Sequence, residues 1–494
     1  MTMIASPLTV SSVIGESSQQ TVLPAQVSSD APCPDRAQRP LRVLMFYDAN
    51  STYTSTVREY LESFRTHSHH DIYYASGVRN TPCQVDLGLF DVVVFHYSMR
   101  LTYPDFISLE VAEAMRAFDG FKVLYIQDEY EATATAQQWI RDLGFDVVYS
   151  VVPEPYLHQV YPPDAFPGVT FFSTLTGFVP DSLMDQVGGD ADIKPMAQRH
   201  SRLAYRGRYL PYWYGQLAQE KMTIGIEMKR LCAERGVPVD IEWEDQYRIY
   251  GPNWYRFLKS SRAMLGTESG ANIFDDHRHI QQRVTAALEA RPDMTFEQAR
   301  AEGLVPEEGP VKMNQISPKF FEAIACRTAL VLFEGNYSGV LTPDVHYIPL
   351  KKDYSNVDAV LARLEDTEAL EAMVDRAFTD VVASGRFGYK PFVRHFDQCL
   401  ESRVTPVDRP RIITAVVGSE TALPGPAPAS VTMLPTLHDD YAVLCPMPMT
   451  QVLEIPRRPS VPKRKRTVVT LMVREIKRVV KRSLRPLYEW ACDL

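Results

Sequence analysis

Ser317-Pro-Lys-Phe-Phe-Glu-Ala-Ile-Ala-Cys-Arg-Thr-Ala-Leu-Val-Leu-Phe333 reads as a short helix running into a buried strand. Pro318 suits a first helical position with Ser317 as its N-cap, and Phe320, Phe321, Ile324 and Ala325 supply one apolar face. The continuous apolar run at 329–333 is what a parallel strand covered on both faces requires. Upstream, 41–47 is a similar run, closed by Asp48-Ala-Asn50, and residues 57, 60, 61 and 64 follow at helical spacing. Further strands are expected at 71–75, 90–95, 122–126 and 145–150, with a helix at 106–118. A second series has strands at 203–208, 239–243, 263–266, 329–333 and 346–350. Its helices are expected at 221–235, closed by Gly236, and at 255–261, 318–326, 358–364, 368–377 and 392–399. Helices at 281–291 and 295–302 interrupt that series as an insertion, and Thr295-Phe-Glu-Gln298 has capping-box spacing. Strand and helix alternating in this way give an α/β fold of two Rossmann-like, doubly wound domains facing a cleft.

The 494 residues exceed what one hydrophobic core serves, and 45% hydrophobic with 23% charged residues is ordinary globular composition. The expected organisation is a disordered Ser/Thr/Pro-rich leader (1–40), a first Rossmann-like domain (41–190) and a second Rossmann-like domain (200–380). A closing helix (381–403), a flexible linker (404–462) and a basic amphipathic helix (463–494) complete it. Cys33, Cys83, Cys232, Cys326, Cys399, Cys445 and Cys492 form no CxxC pattern, which argues against a zinc site or a disulfide framework. No basic region followed by an apolar core opens the chain and no run is long enough to span a bilayer, so a cytoplasmic location is expected. The net charge of −9 hides twelve Lys/Arg against the single acid Glu475 in 457–485. Removing that +11 leaves the rest near −20, which disfavours nucleic acid as a partner of the body.

A transferase using a nucleotide-sugar donor must neutralise a diphosphate and hold hydroxyl-rich rings. Arg208 ends the first strand of the second series and Lys221 begins the helix after it, so both can converge on one pyrophosphate; alternatively they are solvated charges at a sheet edge. The pair resembles the G-R…E-K element of GT-B glycosyltransferases, in which Arg and Lys contact the donor diphosphate. The 317–333 run resembles the helix–strand element of the same transferases, whose Glu binds the donor ribose or sugar; here that residue is Glu322. Tyr337-Ser338-Gly339 and the stretch on to Asn356 resemble the spore-maturation-protein-like branch, and the resemblance assigns Tyr337, Ser338 and Gly339 to the donor side. It also places Asn314 where retaining members carry a further Glu, eight positions ahead of Glu322. An amide hydrogen-bonds sugar hydroxyls but brings no charge to a developing oxocarbenium ion.

The acceptor side belongs to the first series. Asp128, Glu129 and His96 follow strands there and are the candidate catalytic bases, in that order; Asp128 or Glu129 could equally cap the following helix. Asp48 and Asn50 are weaker candidates for acceptor contacts, and the small residues of 266–272 would admit a nucleotide or simply form a turn. Asp190-Ala-Asp192 imitates a metal-binding DxD but follows Gly188-Gly189 instead of a strand, so it reads as solvated and neither a metal nor a cofactor is expected. The expected function is transfer from a nucleotide-sugar donor to a glycan or lipid-linked acceptor. The alternatives are a nucleotide-sugar epimerase and a catalytically silent GT-B scaffold.

In 467–487, Val468, Met472, Ile476, Val479 and Leu487 fall on an apolar stripe and Arg474, Lys477, Arg478, Lys481 and Arg485 on the other faces. Such a helix suits an anionic membrane surface, each basic residue adding on the order of 1 kcal/mol; alternatively it is an interaction tail for an acidic partner or for the chain's own acidic body. Cosedimentation with phosphatidylserine vesicles is expected for the full chain and lost on removal of 457–494; equal binding by both would contradict the reading.

Overall fold

The computed structural model describes residues 39–408 apart from 53, 80, 84, 190 and 191. The expected leader, linker and basic helix therefore lie outside the described residues except at 39–40 and 404–408. The first sheet is formed by β1 (Arg42–Tyr47), β2 (Asp71–Ser76), β3 (Val92–Phe95), β4 (Phe121–Ile126), β5 (Val147–Ser150) and β6 (Thr170–Ser173). Its order is β2-β1-β3-β4-β5-β6, parallel throughout. The second contains β7 (Ser201–Arg206), β8 (Val239–Glu242), β9 (Ser261–Gly266), β10 (Ala329–Phe333) and β11 (Ile348–Leu350). Its order is β11-β10-β9-β7-β8, again all parallel. In each sheet the order reverses beside the first strand, at β1/β3 and at β7/β9, and open α/β sheets bind ligands beyond the strand ends at such reversals.

The period of two along β1 shows why both faces must be covered. Leu44 and Phe46 enter one buried cluster with Met115 and Ile140; Val43, Met45 and Tyr47 enter another with Tyr60, Phe64 and Phe396. The second cluster is completed by the last described helix, Tyr389–Glu401, which follows the second domain in sequence yet packs on the helix Ser55–His67 of the first. Phe64 and Phe396 meet edge to face at 5.1 Å, and Ser68 Oγ donates to Asp397 Oδ1 at 2.7 Å. Two Rossmann-like domains in series, with the chain returning to the first, make the GT-B layout.

Several elements differ from expectation. β6 is an edge strand of four half-buried residues, too short and too evenly exposed to leave a periodic signal. The helix after β7 runs Gly215–Glu234, so Lys221 lies in its second turn and does not open it. The cause is local: Trp213 and Tyr214 are buried, and Gly215 turns the chain at φ 78°. Glu308 Oε1 then accepts from the Leu217 amide at 3.1 Å, satisfying the new helix start. The insertion forms helices His279–Ala290 and Phe296–Ala301, the latter with its capping box closed by Thr295 and Gln298. Just ahead of it, the Asp275 amide donates to Tyr130 O and the Ala132 amide to Asp275 O, each at 2.9 Å, so the insertion docks on the first domain.

Phe396 is fully buried. Phe396→Ala is expected to lower unfolding stability by about 3–5 kcal/mol, measured as a drop in the urea midpoint. A cost under about 1 kcal/mol would mean that the returning helix does not anchor the first domain.

Candidate donor cleft

Beyond the β7 and β9 ends lies a cleft holding about 1300 Å³ of non-atom space, part of it open solvent. The second domain contributes Gly207, Arg208, Lys221, Trp254, the 264–267 strand end, Ser269, Gly270 and the segment 315–320. The first contributes Gln127, Asp128, Tyr130, Val151 and Thr176. Gly270 sits at φ 111°, and a Cβ there would come within 2.6 Å of the Met313 carbonyl oxygen, so this wall admits only glycine without rearrangement.

Two cross-domain hydrogen bonds fix the floor: Gln315 Nε2 donates to Val151 O at 2.7 Å and Thr176 Oγ1 donates to Ile316 O at 2.9 Å. Within the first domain, Gln127 Nε2 donates to Thr176 O at 3.0 Å. At one end, Glu131 accepts from Tyr214 Oη and pairs with Arg100 at 3.4 Å and Arg278 at 3.8 Å, joining both domains through a largely buried ion cluster.

Of the expected catalytic residues, Asp128 lines the cleft. Its backbone is left-handed at φ 58°, Tyr130 Oη donates to its Oδ1 at 2.5 Å, and its Oδ2 is buried without a partner. Burial raises its carboxyl to about 6; Glu131 adds to the rise, while the Tyr130 bond, Arg100 and Arg208 oppose it. Gln127 Oε1 beside it is a second buried acceptor without a donor. Glu129 turns away from the cleft into the core, fully buried, where Ser150 Oγ donates to it. Burial pushes that carboxyl up to about 8. His96 is also fully buried and does not line the cleft: its Nδ1 lies 2.9 Å from Ser98 Oγ and 3.2 Å from the Ser98 amide, and burial lowers it to about 3. Asp48 caps the short turn after β1 by accepting from the Asn50 amide at 2.9 Å.

Of the residues expected to bind a donor, Arg208 and Lys221 line one cleft, and Arg208 is within electrostatic reach of Asp128. Glu322 faces a smaller adjoining pocket with Glu59, Tyr255 and Phe178, and accepts from Trp254 Nε1 at 2.6 Å. Burial lifts its carboxyl to about 7, against the Trp254 bond and Lys319. Asn314 is occupied on both sides: its Nδ2 donates to Glu268 Oε2 at 2.5 Å and its Oδ1 accepts from Asn272 at 3.1 Å. Tyr337 is buried, its amide donating to Glu268 Oε1 at 2.7 Å. Ser338 Oγ donates to Gln315 Oε1 and accepts from the Ile316 amide, and with Gly339 these residues form a left-handed turn behind the cleft wall. Asp192 is exposed and pairs with Lys259 Nζ.

Trp254, Thr176 and Gln315 escape the sequence reading. Each is placed by contacts across the cleft or between helices, which leave no local pattern. Among the described residues no cluster of His, Cys, Asp or Glu could hold a metal ion, and no helix is long and apolar enough to cross a membrane.

By sequence, no known family and no curated protein matches the chain. By structure it is similar to an Anabaena protein, Alr3699/HepE, solved with UDP-glucose (10% identity, 73% of this chain and 100% of that one, TM-score 0.42). It is similar also to sucrose-phosphate synthase from Thermosynechococcus elongatus (10% identity, 73% and 98%, TM-score 0.38). A UDP-N-acetylglucosamine 2-epimerase matches as well (10% identity, 74% and 97%, TM-score 0.34). At such identities and scores these likenesses carry no functional weight, and the architecture rests on the chain's own strand order.

Glu129 offers a test of the electrostatics of the core behind the cleft. Its folded carboxyl holds a proton up to about pH 8 against an ordinary 4.5, so the folded state binds more protons between those values. Its contribution to stability therefore falls as pH rises from about 4.5 to 8. Glu129→Gln is expected to be folded and to show a shallower decline over that window in pH-dependent urea denaturation. An unchanged slope would mean that Glu129 is ionised in the fold.

Proposed function

We propose that the chain is a glycosyltransferase taking a nucleotide-sugar donor in this cleft and passing the sugar to a hydroxyl of a glycan or lipid-linked acceptor. The observation that supports the reading is the placement of Arg208, Lys221 and Asp128 around one cleft at the reversal point of the second sheet. Arg208 and Lys221 would neutralise the diphosphate as the bond from the anomeric carbon to its oxygen breaks. Asp128, with a carboxyl at about 6, is ionised at neutral pH and would accept the proton of the attacking acceptor hydroxyl. The unpartnered Oδ2 of Asp128 and Oε1 of Gln127 are acceptors without donors, and sugar hydroxyls are the matching donors. No metal enters the scheme, since the two cations supply the charge. The basic segment 457–485 would hold the enzyme on the cytoplasmic membrane face beside a lipid-linked acceptor.

A second reading, a silent scaffold of the same fold, draws on Asn314, whose amide is committed to Glu268 and Asn272. A thermal-shift panel of UDP-, GDP- and dTDP-sugars separates the two: the transferase is stabilised by at least one donor and hydrolyses it slowly, whereas indifference to all supports the scaffold. With the responsive donor, Arg208→Ala is expected to weaken binding at least tenfold. Asp128→Asn is expected to lower kcat by about 10²–10⁴-fold with donor affinity retained. Wild-type kcat/KM should rise with pH through about 6 to a plateau, as a base that works deprotonated demands. A rate indifferent to pH across that range would remove Asp128 from the role.

A further inference from the structure

Trp254 belongs to none of the elements discussed for diphosphate or acceptor chemistry, yet it lines the cleft on the second-domain side. It sits in the helix Pro252–Ser260, which joins the edge strand β8 to β9. Its surroundings form a stack. The Arg206 guanidinium lies over the Phe257 ring at 4.2 Å, and Phe257 packs on the Trp254 indole at 5.5 Å and 29°. Glu322 Oε2 accepts the indole N–H at 2.6 Å, fixing the ring's rotation. Lys319 Nζ stands 5.9 Å from the indole centroid. Phe257 is buried beneath the stack, so Trp254 is the half-buried end of the column, and the indole surface left over meets the cleft.

We propose that Trp254 is the platform on which the donor's nucleobase stacks, and that Glu322 is a positioning residue that holds the indole for it. This rests on the nucleotide-sugar reading above. The sugar end of a donor must reach Asp128, and the diphosphate lies at Arg208 and Lys221. The nucleoside end then extends along the second domain, where Trp254 is a flat, preorganised π-surface. Aromatic stacking accepts any base and carries no pairing information, which is what an indole face with a cation beside it offers. Glu322 thereby acts through the indole, and its single strong contact explains why the carboxylate turns from the main cleft into the side pocket.

The test measures binding to the full chain of UDP, GDP, dTDP and inorganic pyrophosphate, by calorimetry and by intrinsic tryptophan fluorescence. Trp254→Ala is expected to weaken the bound nucleoside diphosphate roughly tenfold and to leave pyrophosphate within about twofold. Trp254→Phe should recover most of that loss, which also shows that the fold is intact. Wild-type fluorescence should change with nucleotide and not with pyrophosphate, and the change should vanish in Trp254→Phe. Glu322→Ala should mimic Trp254→Ala, while Glu322→Gln, which still accepts the indole N–H, should bind nearly as wild type. Equal weakening of nucleotide and pyrophosphate in Trp254→Ala, or no weakening of either, overturns the platform while leaving the donor cleft standing. A wild-type chain that binds none of the four probes overturns the donor-cleft reading and this one with it.

Discussion

The Gln315 side chain joins three parts of the molecule that the chain itself keeps far apart. Its Nε2 donates to Val151 O of the first domain at 2.7 Å, and its Oε1 accepts from Ser338 Oγ at 2.9 Å. Its backbone exchanges two hydrogen bonds with Ser269, at 2.8 and 2.9 Å, in the loop after β9. Gln315 is 4% exposed, so removing any one of these partners would leave a buried polar group unsatisfied, at a cost of about 1–3 kcal/mol. The cleft's floor, the loop at its back and the wall from the first domain are thus held by one amide with little freedom to shift.

Around that point, rigid supports surround groups left without partners. Glu268 accepts the amides of Asn336 and Tyr337 and the side chain of Asn314, so the turn behind the wall is braced by one carboxylate. Asn314 in this setting is a structural partner of Glu268, and a glutamate there would place two carboxylates against each other. Asp128 and Gln127, by contrast, keep buried oxygens without donors on the cleft wall. A braced turn behind and unsatisfied acceptors on the cleft wall are the arrangement that a preorganised binding site calls for.

How much of this could be read from the residues alone depended on range. Runs such as 43–47 and 329–333 announce buried parallel strands, because both faces of such a strand must be apolar. Thr295 and Gln298 announce a capped helix, because the capping box closes within one turn. The start of the helix at Gly215 was less legible: its N-terminal amide is satisfied by Glu308, ninety-one residues on. Asp128 and Glu129 are adjacent and chemically alike, and only the left-handed turn at 128 sends one to the cleft and the other into the core. Trp254 and Gln315 carried no pattern at all, since their roles come from neighbours on other elements. The 317–333 run forms its helix at Lys319–Ala325 and its strand at Ala329–Phe333, while the contact of Glu322 with Trp254 was beyond what a local run encodes.

On the function proposed here, one cleft, at the reversal of the second sheet, receives the diphosphate of a nucleotide donor between Arg208 and Lys221. A crystal structure of the chain with its bound nucleoside diphosphate tests it most directly. Phosphate oxygens are expected within hydrogen-bonding distance of the Arg208 guanidinium and Lys221 Nζ, with the cleft facing Asp128 still open for the sugar. A nucleotide bound at the β1/β3 reversal of the first sheet, or bound in the cleft with neither cation touching a phosphate, would contradict it.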